Sequence, residues 1–184
     1  MGSYVPEVVR PLRRVEYDKL IELGMFDDDE RIELIRGFLV PMAPIGPPHS
    51  ATIDRLNRIL VLALHDRAVV RVQNPIAALE DSEPQPDFSV VPLGDYDTDH
   101  PENALLLIEV ADSSLSFDRG VKLGIYAECG VPEYWVVNLR HRRIEVFTEP
   151  EGLTYARIEH YKHGETLSPT RFRDVVIRVD DVLK

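Results

Sequence analysis

Ala104-Leu105-Leu106-Leu107-Ile108-Glu109-Val110-Ala111 is an apolar run with a single carboxylate set near its end. Such a run reads as a buried strand, predicted over 105–111, and an ionised carboxylate held out of water normally neutralises, pairs with a cation or coordinates a metal. Glu109 therefore calls for a partner. Upstream, Gln85-Pro86-Asp87-Phe88-Ser89-Val90-Val91 carries a second acid where a polar turn gives way to a β-branched strand predicted over 88–91. Asp87 and Glu109 lie 22 residues apart, across a polar loop over 94–103 short enough for their strands to be neighbours. Lys122 follows 13 residues after Glu109, room for a turn and one turn of helix to bring the lysine back to the strand end. Two acids and a lysine at one sheet edge are what a divalent ion, a water and a phosphodiester require.

Outward from this centre, residues 15–23 read as a helix stopped by Gly24. An acidic loop, Asp27-Asp28-Asp29-Glu30, precedes a hairpin of 31–35 and 38–42 joined across Arg36-Gly37, which places Glu33 on a strand. Pro44, Pro47 and Pro48 break the pattern before a helix over 49–66, where Ile53, Leu56, Leu60 and Leu64 form an apolar stripe. Strands are predicted over 69–73, 76–79, 133–138 and 143–148. A second helix over 118–129 has Ser114 or Ser116 as capping candidates and ends at Gly130, with Pro132 forcing the exit. A polar hairpin region carries 155–158, and a strand over 175–179 closes the chain. The order predicts an α/β fold, a central mixed β-sheet flanked by α-helices with an N-terminal helix and β-hairpin, forming a single domain over 1–184.

Composition narrows the function. No apolar stretch approaches the ~18 residues of a membrane span, and residues 1–6 lack the basic and apolar regions of a secretory signal, so a cytoplasmic address is expected. The single cysteine, Cys129, excludes an internal disulfide and suits a reducing compartment. Its place at a helix C-terminus, where the dipole disfavours a thiolate, makes it structural rather than nucleophilic. A net charge of −11 argues against broad affinity for nucleic acid, although a local basic surface is compatible with an acidic total. The densest basic cluster, Arg140-His141-Arg142-Arg143, reads as a solvated turn between strands.

Taken together, Ile32-Glu33-Leu34-Ile35-Arg36-Gly37, the Pro-rich turn into His49, Gln85-Pro86-Asp87, Ile108-Glu109-Val110, Asp118, Lys122, Tyr126-Ala127 and Gly130-Val131-Pro132-Glu133-Tyr134-Trp135-Val136-Val137 resemble the Uma-two family of restriction endonucleases over roughly 15–148. That family falls in the PD-(D/E)XK nuclease superfamily with its restriction endonuclease-like fold. The resemblance implies an Mg²⁺- or Mn²⁺-dependent endonuclease hydrolysing nucleic acid, DNA above all. Asp87 and Glu109 would be the metal-binding acids, Glu33 a further metal-binding acid, and Lys122 the catalytic lysine. One departure stands out: the superfamily places its lysine two residues after the acid, and here that position is Ala111. A homodimer is expected, because two sites related by a two-fold axis cut both strands of a duplex.

Competing readings attach to each residue. Asp87 after Pro86 can simply begin a strand, Glu33 on an edge hairpin can face solvent, and Glu109 with Lys122 can form a plain buried ion pair. His49 offers either contact with the site or packing at a helix start. Asp118, four residues before Lys122, has the spacing to orient the ammonium. His160 and His163 read as surface residues rather than a zinc pair, and Ser113, Ser114 and Ser116 as caps rather than nucleophiles. Two other functions compete with the nuclease: a catalytically silent scaffold of the same fold, which the acidic charge and Ala111 favour, and a hydrolase of a smaller phosphate substrate.

Overall fold

The computed structural model describes residues 10–27 and 29–184; the N-terminal stretch read for a signal, and Asp28 of the acidic loop, lie outside them. Elements run α1 (Arg14–Glu22), β1 (Ile32–Ile35), β2 (Phe38–Pro41), α2 (Pro47–Leu64), β3 (Val69–Val72), β4 (Phe88–Val91), β5 (Leu106–Ala111) and α3 (Leu115–Phe117). A π-helical turn, Asp118–Lys122, then leads into α4 (Leu123–Glu128), β6 (Glu133–Asn138), β7 (Arg143–Glu151), β8 (Thr154–Tyr161), β9 (Thr166–Leu167), β10 (Ile177–Arg178) and α5 (Val179–Val182). The six-stranded sheet has the order β3-β4-β5-β6-β7-β8, and β5-β6 is its one parallel pair. A mixed sheet with helices, an N-terminal helix and a hairpin is thus the observed architecture.

Strand parity decides which residue faces which layer. On β5, Leu106, Ile108 and Val110 join the core under α2 and α5, whereas Leu107 and Ala111 join the core under α4. Both faces are covered, which is why the run is apolar throughout instead of alternating. Glu109 shares parity with Leu107 and Ala111 and so faces the α4 side. On β4, Phe88 and Val90 face α2 while Val91 faces the α4 side, which gives Asp87 the same outlook as Glu109. The register Phe88↔Ile108 then sets the two acids side by side.

Helix α2 buries Leu56, Leu60 and Leu64 completely, each worth ~1.5–3 kcal/mol over an exposed side chain. The helix starts at Pro47, two residues before the expected start. Prolines at its first positions lack only N–H groups that have no helical partner there, so they open the helix instead of breaking it. The β1–β2 turn has Arg36 at φ 51° and Gly37 at φ 79°, the paired positive angles that join two-residue hairpins.

Four other expectations change. Residues 76–79 form no strand; Ala77 N–H bonds Pro101 C=O, Leu79 bridges Ser82, and Asp81 and Glu83 then pair with Gly37 and Leu34, so residues 76–83 form a strap across β1. The 118–129 helix begins at Leu115 and passes through the π turn, with Ser114 preceding it but making no side-chain cap. Residues 155–158 belong to an eight-residue strand that pairs with β7 in the main sheet. The closing 175–179 segment contributes only the two-residue β10 before Val179 opens α5. No helix among the described residues is long and apolar enough to cross a membrane.

Candidate active site

Glu109 is 4% exposed, and three donors answer its carboxylate. Lys122 Nζ lies 3.0 Å from Oε1, and Tyr126 O–H donates to the same oxygen at 2.8 Å. The Asp87 N–H donates to Oε2 at 3.3 Å, and the Asp87 side chain stands alongside. Lys122 also lies 3.0 Å from Glu33 Oε2, so one buried ammonium joins two buried carboxylates. Glu33 is 3% exposed, which overturns the solvent-facing reading of the hairpin. β1 is covered because the strap lies across it: Glu83 N–H bonds Leu34 C=O and Gln85 N–H bonds Glu33 Oε2 at 3.1 Å.

Asp87 is held from three sides. Its Oδ2 accepts from Val110 N–H at 2.8 Å and lies 3.1 Å from His49 Nε2, while Gln73 Nε2 donates to Oδ1 at 3.1 Å. His49 sits in the first turn of α2, so of its two readings the structure shows contact with the site. Asp118 behaves otherwise than its spacing suggested: its Oδ2 accepts from Ser114 O–H at 2.6 Å, and Lys122 pairs with Glu33 and Glu109 instead. The cause is the π turn, which widens the helix so that residues four apart no longer stack.

Electrostatics follow from burial and neighbours. Burial, with Asp118, Asp87 and Glu33 nearby, pushes the Glu109 carboxyl up to about 8, even though Lys122 opposes the rise. For Asp87 burial works toward the neutral acid, but the hydrogen bonds from His49 and Val110 win and hold the pKa below its ordinary value. Burial also disfavours the Lys122 charge, yet Glu109 and Glu33 more than offset it and keep the ammonium protonated. Asp118 is raised to about 6, chiefly by burial. The two acids at the strand ends are therefore unlike, one held ionised and one readily neutral.

These groups form the floor of a cleft of about 290 Å³ whose walls include Arg31, Met42, Ile45, Ser113 and Phe117. Glu33, Asp87, Glu109 and Lys122 all line it. Three participants had no role in the reading of the sequence. Tyr126 lies one helical turn beyond Lys122, Gln73 follows β3 at a positive φ of 52°, and Gln85 reaches Glu33 through its backbone. Only Tyr126 carried a usable signal, its i to i+4 spacing from Lys122. Elsewhere, His160 and His163 are exposed, and Arg142 takes a turn conformation between β6 and β7. Cys129 is half-buried with its thiol raised to about 11, mainly by burial.

Among the described residues no group of three or more His, Cys, Asp or Glu side chains is already arranged around a common metal position. The pair Asp87 and Glu109 nonetheless supplies hard oxygen donors beside an open cleft. Mg²⁺ is commonly held by only one or two carboxylates, with waters and substrate phosphate completing its shell, so the donor set fits.

No curated protein matches the chain. It superposes on the crystal structure of a putative nuclease belonging to DUF820 from Anabaena variabilis ATCC 29413 with a TM-score of 0.73. The match covers 94% of this chain and 97% of that one at 13% sequence identity, and at that identity it speaks for a shared fold alone. The model of the Uma2 family, described as "Putative restriction endonuclease", matches residues 14–180. With nearly the whole chain matched, the protein belongs to the Uma2 family.

Proposed function

We propose that this protein is a metal-dependent endonuclease of the PD-(D/E)XK type that hydrolyses phosphodiester bonds in DNA. The observation that carries the reading is the meeting of Asp87, Glu109 and Lys122 on the floor of one open cleft. Mg²⁺ or Mn²⁺ bound by Asp87 and Glu109 would supply a Lewis acid for the phosphate and a more acidic water. Asp87 is preorganised for this, ionised and fixed by His49, Gln73 and the Val110 N–H. Glu109 presents Oε2 toward Asp87 while Tyr126 and Lys122 hold Oε1.

Lys122 provides positive charge for the developing phosphorane and a donor to orient the attacking water. Glu33 steers that ammonium through Oε2, which Lys122 and the Gln85 N–H already occupy, so Oε1 is the oxygen left for a metal or its water. The helix-borne lysine stands in for the strand position that Ala111 fills as a fully buried core residue. Two copies about a two-fold axis, in the cytoplasm, complete the proposal for cutting a duplex. A catalytically silent scaffold is the second reading, favoured by the net charge of −11 and by the pairing of Lys122 with two acids.

The test is linear and plasmid DNA incubated with Mn²⁺, Mg²⁺ or chelator, with Mn²⁺ binding followed through thermal unfolding. Metal at about 100 times its dissociation constant should stabilise the wild type by roughly 2.7 kcal/mol, and Asp87→Ala should lose both the shift and the cutting. Metal binding without cleavage of any nucleic acid would favour the scaffold. An unchanged melting temperature in millimolar Mn²⁺ would remove the metal site altogether.

A further inference from the structure

A second cleft, of about 670 Å³, opens between α1, the 76–83 strap and the loop before β5, and none of its lining residues line the Asp87 cleft. Six carboxylates line it: Asp18, Glu22, Glu83, Asp97, Asp99 and Glu102. Exposed acids alone would be a solvated surface, but Glu83 is different. Only 1% of it is exposed, and its Oε1 accepts no hydrogen bond among the described residues. His100 Nε2 stands 3.7 Å away, beyond hydrogen-bonding distance, and the neighbour that does reach the Glu83 carboxyl is another acid, Asp18, which can share a proton with it but brings no positive charge. Arg14, the one guanidinium in the lining, leans instead toward Glu102 Oε1 at 3.7 Å. A buried carboxylate oxygen without a donor costs ~1–3 kcal/mol, more if ionised, so an arriving cationic donor would be strongly favoured.

The shape indicates the kind of cation. No three acidic or histidine side chains among the described residues converge on one point as a metal would need. The acids are distributed from a buried floor, at Glu83, to an exposed rim, at Asp97, Asp99 and Glu102. Between them the wall includes the apolar side chains of Ile21 and Ala77. Charges spaced along a groove with apolar patches between match ammonium groups spaced along methylene chains, and the volume lies within the ~300–1,000 Å³ of small-molecule sites.

We propose that this cleft is a binding site for an aliphatic polyamine, one ammonium donating to Glu83 Oε1 and the others paired with the acids of the rim. Burial and the adjoining Asp18 raise the Glu83 carboxyl to about 8, with Arg14 opposing the rise. The groups facing it are Arg14, Tyr17 and Asp18 from α1 and His100 from the loop. Polyamine uptake at neutral pH therefore expels a proton, and binding strengthens as pH rises toward about 8.

The experiment is calorimetric titration of spermidine into the full chain at near-physiological salt, repeated in buffers of unlike ionisation enthalpy. Expected are one saturable site, proton release at pH 7, and at least about tenfold weaker binding in Glu83→Gln, the scale of one lost charge-assisted hydrogen bond. Asp87→Ala should bind as the wild type does. Asp99→Asn with Glu102→Gln, both at exposed positions that leave folding intact, should weaken binding several-fold and so test the site even if Glu83→Gln misfolds. No uptake by the wild type, equal uptake by Glu83→Gln, or loss of uptake in Asp87→Ala would each overturn the proposal, as would Mn²⁺ binding at Glu83 with no response to spermidine.

Discussion

Replacing Lys122 by methionine separates the structural from the chemical part of its role. The residue is 4% exposed, with its ammonium 3.0 Å from both Glu33 Oε2 and Glu109 Oε1. Methionine keeps most of the packed stem and removes the charge, and stripping one partner from a buried ion pair costs ~3–5 kcal/mol. Two features move this case toward the lower end. Burial already pushes the Glu109 carboxyl up to about 8, so it stays neutral at neutral pH without the ammonium and leaves no bare charge behind, and Glu33 keeps the Gln85 N–H. A loss of about 3 kcal/mol follows, or a fall of about 6–12 °C in Tm for a domain of this size. Glu109→Gln in the same chain removes the orphaned acid, so the double variant should regain at least half of that loss. Urea unfolding followed by the fluorescence of Trp135, fully buried and the single tryptophan, measures both. DNA cleavage by the folded Lys122→Met protein should drop roughly 100-fold or more, the scale of one lost electrostatic stabiliser. A single variant within about 0.5 kcal/mol of wild type, the spread of ordinary surface changes, would refute the buried-pair argument. Undiminished cleavage would refute the catalytic one.

Two further perturbations test the frame around the site. Gly37→Ala drives a Cβ into the Pro11 ring at a φ of +79°, so it should cost ~1–3 kcal/mol and loosen the segment before α1, seen as faster proteolysis near Arg13 and Arg14; an unchanged cleavage pattern and stability would contradict the close approach. Glu145, which accepts hydrogen bonds from Arg119, Arg143 and Asn138, has its pKa lowered from 4.5 to about 2, those bonds outweighing the opposing effect of burial. Its ionised form is therefore favoured by folding: the contribution is complete above pH 4.5 and disappears as pH falls through about 2. Glu145→Gln should flatten the acid limb of the stability curve, and an unaltered limb would show that Glu145 does not govern it.

The geometry of the candidate site was readable because it rests on strand parity. An acid in the unbroken run ending at Ala111, and another beginning the strand after Pro86, must sit at strand ends, and the intervening loop makes the strands neighbours. Glu33 was placed on its strand, but its burial depends on the 76–83 strap, a contact between segments some fifty residues apart that no local pattern encodes. The same holds for the length of β8, read from its exposed, half-polar residues as a short piece of polar hairpin at 155–158, whereas seven register pairs with β7 extend the strand over Thr154–Tyr161. Expecting Asp118 to hold Lys122 assumed a regular helix, and periodicity does not reveal a change of pitch within five residues. His49 offered two readings because a histidine at a helix start looks alike in sequence whether it packs or reaches across to Asp87.

The π turn has one more consequence. A π turn takes one more residue into its hydrogen-bonded ring than an α turn does, so the direction in which Lys122 points depends on chain length as well as on side-chain identity. Removing Gly120, an exposed residue whose absent Cβ would touch nothing within 4 Å, would let the segment wind as an ordinary helix and swing Lys122 roughly 100° around its axis. Every acid of the site would survive such a deletion. A relative could thus lose the lysine by a single-residue deletion with all four expected residues still written in its sequence, and an inventory of motif letters would count it as intact.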